Sequence, residues 1–148
     1  MEIEISEKAI DCWERLSAFE NAHPELSGSH GASVVFAGRM RDFNEDESVT
    51  AMHLEHYAGM SEKYLTKIVQ RAVDEWSLMD VLVLHRVGEI KPADTIVVVA
   101  VWSAHRAHAY AANQFIMEAL KSKAPFWKKE TLLDGEVRWV DKNTPGTV

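Results

Sequence analysis

Thr95-Ile-Val-Val-Val-Ala-Val-Trp102 is the strongest strand signal in the chain, an uncharged run dominated by β-branched residues. It requires a sheet, and the patterns around it decide which kind. Met1–Ile5 alternates and reads as a short strand. Ser6 is placed to N-cap a helix carrying Ala9, Ile10, Trp13 and Leu16 on one face. His23-Pro24 and the region from Gly28 to Gly31 break that pattern. Ala32–Gly38 reads as a buried strand and Val49–Tyr57 as another. Between them lie Arg39-Met40-Arg41-Asp42 and an acidic loop, Asn44-Glu-Asp-Glu-Ser48. Met60, Tyr64, Leu65, Ile68, Val69, Ala72, Val73 and Trp76 recur at helical spacing. Val81–Val87 is a strand closed by Gly88, and Lys91-Pro-Ala-Asp94 is a turn. After Trp102, Ser103 reads as the N-cap of a helix carrying Ala104, Ala107, Ala111, Phe115, Ile116, Ala119 and Leu120. Pro125 ends it. Phe126–Leu133, an Asp134-Gly135 turn and Glu136–Val140 read as a hairpin. This order gives an α+β fold in one domain spanning 1–148, frayed from about 141.

Composition narrows the function. The formal net charge of -7 and pI near 5.5 argue against general nucleic-acid binding. No apolar run approaches the roughly 20 residues of a membrane span. The first residues lack the basic start and apolar stretch of a secretory signal. A single cysteine, Cys12, excludes an internal disulfide and fits a reducing cytoplasm; it reads as core.

Against that acidic background, three basic groupings stand out. Lys121, Lys123, Lys128 and Lys129 fall within nine residues, with Phe126 and Trp127 among them. A lysine held against aromatic bulk is partly desolvated, so its pKa falls and it suits proton transfer or the gripping of an anion. The plain alternative, lysines complementing a helix dipole, accounts for Lys121 and Lys123. It leaves Trp127-Lys128-Lys129-Glu130 unexplained. Ser103-Ala-His105-Arg106 sits where a strand gives way to a helix, a place that receives anions, or where both side chains simply bond local carbonyls. Arg39 and Arg41 flank Met40, so both can face one way. Their partner is either an anion or the acids Glu45–Glu47. Metal binding competes for the histidines. His53 and His56 face opposite sides of a strand, and no acid or cysteine completes a set with His105 and His108, so no metal is expected. Nucleotide-loop motifs and a serine-nucleophile motif are missing.

Read in order, Phe36-Ala-Gly-Arg-Met-Arg41, Leu54-Glu-His-Tyr-Ala-Gly-Met60, His85-Arg-Val-Gly-Glu89, Ser103-Ala-His-Arg106, Leu120-Lys121 and Ala124-Pro-Phe-Trp-Lys-Lys-Glu130 resemble the MoaE family, the large catalytic subunit of molybdopterin synthase. The likeness runs from about Gly31 to Val140. It implies an α/β-hammerhead with an additional antiparallel β-rich subdomain. It implies a sulfurtransferase that converts cyclic pyranopterin monophosphate into molybdopterin. Sulfur would come from the C-terminal thiocarboxylate of a MoaD-like, ubiquitin-fold small subunit, with no cofactor on the large one. The implied assembly is a homodimer of large subunits within a heterotetramer. Substrate-binding positions fall on Arg39, Met40, Arg41, His105, Arg106, Lys121, Lys128, Lys129 and Glu130, with Lys121 and Lys128 catalytic. Arg41, His105 and Arg106 are expected to hold the phosphate and pterin, some of them across the dimer. The chain departs from the family at Asp46-Glu47 and at Pro92-Ala93, where a glycine is common, and Met40 replaces a more usual valine. A non-catalytic module for a ubiquitin-like tail or anionic small molecule is the alternative, and arginine should replace its lysines without loss.

Overall fold

In the computed structural model, which describes residues 1–44 and 46–140, the Thr95–Trp102 run lies inside a sheet. β7 (Thr95–Ser103) pairs antiparallel with β5 (Asp80–Arg86) on one side and β2 (Ala32–Arg39) on the other, and β1 (Glu2–Ser6) joins β5 in parallel. The two faces of β7 are separately covered. Val97, Val99 and Val101 pack against Leu65 and Val69 of α2 (Met60–Trp76) and Ile116 and Leu120 of α3 (Arg106–Lys123). Val98, Ala100 and Trp102 pack against Leu16 and Phe19 of α1 (Cys12–Ala22). Burial on both sides is why the run is continuously apolar rather than alternating.

The second sheet is antiparallel throughout. β4 (Glu47–His56) is its centre. β8 (Phe126–Leu132) takes one edge of β4, with β9 (Val137–Trp139) beyond it; β3 (Phe43–Asn44) and β6 (Gly88–Ile90) take the other. Met40, Val49, Met52, Leu54, Ile90 and Leu132 form its own core, and Ile96 touches both cores. The result is a mixed α+β fold. Among the described residues, no helix is long and apolar enough to cross a membrane.

Several local expectations need correction. Ser6 ends β1 and caps nothing. Asp11 is the N-cap of α1, its Oδ1 accepting from the backbone N–H of Trp13 and Glu14 at 3.1 Å each. The later start rotates the face: Cys12, Leu16 and Phe19 go inward and Trp13 is 67% exposed. Ser103 is the last residue of β7, and His105 occupies the N-cap position of α3. Ala104 and Ala107 are therefore exposed, and the inward face is Ala109, Ala112, Asn113, Ile116, Met117 and Leu120. Met60, placed with the apolar face of α2, is also exposed. Ala32–Gly38 is a strand but not a buried one, because β2 terminates its sheet and leaves Val35 and Phe36 open. The tail from about 141 and Glu45 of the acidic loop lie outside the described residues.

Candidate active site

Pro125 sets the geometry of the lysine segment. It holds Ala124 extended (φ -72°, ψ 140°), so α3 stops at Lys123 and the chain turns directly into β8. Lys121 in the last turn of α3 and Lys128 in β8 then meet, side chain hydrogen-bonded to side chain. Two ammonium groups cannot share a hydrogen bond, because each has only donors. Such a bond forms only when one of the pair has given up its proton. Burial lowers the pKa of both lysines. The charge of Lys121 lowers Lys128 further, to about 8, with Glu130 pulling the other way. Lys128 is the partner that gives up its proton first. An amine of that pKa beside an ammonium is suited to proton transfer near neutral pH.

The pair lines a cavity of about 820 Å³ where the two sheets meet, a size typical of small-molecule sites. Arg39, Met40 and Arg41 form another part of its wall. Gly38 lies at a register shift at the end of β2, and a Cβ there would stand 2.8 Å from Val97 Cγ1. The chain thus needs glycine where it leaves the first sheet for the second. Met40 is then pinned by backbone bonds with Ala93 and Asp94 (Ala93 N–H to Met40 O, 2.9 Å; Met40 N–H to Asp94 O, 3.0 Å) and is buried. Arg39 and Arg41 stay exposed on either side of it. The Arg41 guanidinium lies 4.9 Å from the Phe43 ring centre. The acidic loop does not take these arginines among the described residues; Glu47 pairs with Arg138 instead. The wall thus carries four cations, Arg39, Arg41, Lys121 and Lys128, against the carboxylates of Glu55 and Glu130. Glu130 is itself engaged: Asn44 Nδ2 donates to Oε1 at 2.9 Å and Arg138 Nε to Oε2 at 3.2 Å. A locally positive cavity in an acidic protein is built for an anion.

The structure divides the expected site residues. Arg39, Met40, Arg41, Lys121, Lys128 and Glu130 share the cavity. Lys129 does not line it. Alternation along β8 turns it to the other face, where its Nζ lies 5.6 Å from the Trp139 ring centre. His105 and Arg106 are exposed at the opposite end of α3 from Lys121, about 24 Å away at 1.5 Å per residue. Within one chain they take no part in the cavity.

His85 also lines the cavity, although the sequence marked it only within a family motif and not as a site residue. It is only 5% exposed, and its ring stacks on Phe126 (centroids 4.0 Å apart, 10° between planes). Burial, assisted by the charges of Lys121 and Lys128, pushes its pKa down to about 4. The signal was a polar residue inside Val81–Val87, an otherwise apolar strand. The other histidines are used locally: His53 faces Glu89, and the His105 and His108 rings meet edge to face. His23, Glu25 and Asp80 come close enough to share an ion, but the amino group of Met1 already lies 2.5 Å from Asp80.

A sequence profile of the family described as MoaE protein matches residues 5–123. A molybdopterin synthase catalytic subunit from Ralstonia nicotianae is 48% identical over 139 residues, covering 94% of this chain and 76% of that protein. Molybdopterin synthase from Staphylococcus aureus superposes with a TM-score of 0.83 at 31% identity, over 95% of this chain and 97% of that one. A complex of subunits 1 and 2 of molybdopterin-converting factor from Helicobacter pylori matches at a TM-score of 0.78 and 20% identity, over 96% and 92% of the chains, a likeness of fold.

Proposed function

The chain belongs to the MoaE protein family, and from that premise we propose that it is the catalytic subunit of a molybdopterin synthase, a sulfurtransferase of molybdenum cofactor biosynthesis. Its substrate is cyclic pyranopterin monophosphate, and its product is the dithiolene molybdopterin. The observation that carries this reading is the hydrogen-bonded pair Lys121–Lys128 in a cationic cavity. Arg39 and Arg41 grip the cyclic phosphate, for which a planar guanidinium fork is suited. The sulfur of a thiocarboxylate attacks the substrate side-chain carbon that bears oxygen. As the C–S bond forms, electron density moves onto that oxygen, which is protonated and leaves as water; hydrolysis of the acyl–sulfur bond then frees the tail as a carboxylate, and a second thiocarboxylate supplies the second sulfur. The Lys121 ammonium faces the developing charge and Lys128 passes the proton. Sulfur comes from the partner's tail, so the reaction asks for no cofactor on this chain.

The donor is the C-terminus of a MoaD-like small subunit with a ubiquitin fold. The two-subunit complex from Helicobacter pylori supports such a partner. So does the exposed edge-to-face pair Tyr57 and Trp127, of which Trp127 lines the cavity. The assembly is a homodimer of this chain within a heterotetramer. Support for the homodimer comes from β2, whose outer edge is unpaired among the described residues and carries Val35 and Phe36 exposed. The start of β2 lies against the turn before α3: a Cβ on Gly31 would stand 2.4 Å from Ala104 O. Its other end leads into Arg39–Arg41. Two copies of β2 paired antiparallel across a two-fold axis would bring His105 and Arg106 of one chain toward the cavity of the other. The α/β-hammerhead description, a single domain over 1–148 and a cytoplasmic setting belong to the same reading.

The test mixes the protein with a thiocarboxylated small subunit and the cyclic pterin precursor. Dithiolene product is expected, and its absence under those conditions would overturn the reading. Replacing both lysines by arginine keeps the charge but removes a group able to lose a proton. The K121R/K128R protein is expected to bind the precursor and to lose at least about a hundredfold in transfer rate. Full transfer by that variant would show that the lysines supply charge alone and pass no proton.

A further inference from the structure

His85 has one nitrogen accounted for and one open. Its Nδ1 lies 2.8 Å from the carbonyl oxygen of Arg86. A carbonyl only accepts, so Nδ1 carries the proton and Nε2 carries the lone pair. The stack on Phe126 and the burial of the ring prevent it from turning over. Among the described residues no group donates to Nε2, and His85 lines the cavity. An imidazole about 95% buried therefore presents a fixed acceptor that opens to the cavity. An acceptor held in one direction at a cavity wall is placed to meet a donor on a bound ligand.

We propose that His85 is a substrate-positioning residue: its Nε2 accepts a hydrogen bond from an N–H or O–H donor on the bound ligand, and so fixes the ligand's orientation against the lysine pair. The ligand this requires pairs an anionic group, for the arginines, with a donor on a heterocycle or hydroxyl at its other end. Burial keeps the ring neutral, and Lys121 from α3, Lys128 from β8 and His56 from β4 face it and act in the same direction. With its pKa near 4, the acceptor is present through the neutral range. A protonated imidazole would repel the lysines and offer no lone pair.

The inference rests on the synthase reading, and its test separates the two. In the wild-type protein, ¹⁵N NMR of labelled histidine follows Nε2 of His85 as cyclic pterin precursor is added. The resonance is expected to leave the position of a free lone pair and reach that of an accepted hydrogen bond. Precursor that binds without moving it overturns the proposal. Precursor that does not bind overturns the synthase reading instead, with the free Nε2 signal of the unliganded protein still on record. Calorimetry then compares His85→Phe, which keeps ring and volume, with His85→Gln, which restores an acceptor near Nε2. H85F is expected to weaken precursor binding about tenfold, and H85Q to recover most of that loss. Equal affinity in H85F and wild type, or a lysine titration that shifts while affinity does not, would assign His85 to the lysines rather than to the ligand.

Discussion

Lys128 shows how a single residue can weaken a protein while equipping it. Its ordinary pKa of 10.5 falls to about 8 in the folded chain, first because burial disfavours the ammonium and then because Lys121 repels it. Below about pH 8 the lysine is charged in both folded and unfolded states, and the folded state carries the whole penalty. Between about pH 8 and 10.5 the unfolded chain holds the proton and the folded chain does not, so stability rises with pH across that window. Lys128→Met removes the penalty. We expect it to raise stability at pH 7 by on the order of 1–2 kcal/mol once solvent screening is allowed for, with sulfur transfer lost. The advantage over wild type should shrink as pH climbs toward 10.5, and urea melts at pH 7 and pH 10 would read it. A destabilised K128M at pH 7 would mean that the contacts of the lysine outweigh the cost of burying its charge. The clustering of lysines around Pro125 was readable in the sequence because it depends on a turn and a charge count. The partner His85 was not, because a histidine inside an apolar strand looks the same whether its ring is packed away or has one nitrogen facing a cavity.

Elements hold these residues in place, and their ends are where strain collects. Asp46 and Ala93 both sit at positive φ, 64° and 73°. These are the turns in which the sequence departs from the glycine usual in the family. The deviation at Ala93 matters more, because its N–H bonds the carbonyl of Met40 and so anchors the segment that presents Arg39 and Arg41. Left-handed backbone costs an alanine on the order of 1 kcal/mol and costs glycine almost nothing. Ala93→Gly should therefore stabilise the protein by roughly 0.5 kcal/mol, the rest being offset by the freer unfolded chain. A drop in melting temperature would show that the turn tolerates alanine without strain. Helix α1 yields a second expectation. Asp11→Ala removes the side-chain acceptor for two backbone donors and should cost about 1 kcal/mol, whereas Ser6→Ala, at the end of β1, should cost much less. Thermal melts of the two variants would decide between the caps. Ser6 and Asp11 are both good capping types. What placed the cap was which of Cys12, Trp13 and Leu16 the first sheet could bury, and that is set by packing.

At the scale of the molecule, one chain supplies only part of what the sequence marked. Arg39, Arg41, Lys121 and Lys128 converge because β2 and α3 end, and β8 begins, where the two sheets meet. His105 and Arg106 stand at the far end of α3, and no motion short of unfolding that helix brings them to the same cavity. A linear sequence marks residue types but not the symmetry that would join one chain's helix end to another's cavity. If the exposed edge of β2 joins two copies, the sites are shared. A His105→Ala, Arg106→Ala double variant and a Lys121→Ala variant are then each inactive alone for different reasons. In a mixed dimer, one cavity would have the intact lysine pair and receive the intact His105 and Arg106, while the other would lack both. Unfolded together and refolded at equal amounts, the two should regain about a quarter of wild-type dithiolene formation, since half the dimers are mixed and each of those has one complete site. Phe36→Asp, set on the open edge of β2, should yield monomers by light scattering and abolish that recovery. Refolded mixtures that stay inactive while remaining dimeric would show that His105 and Arg106 serve no cavity across the interface.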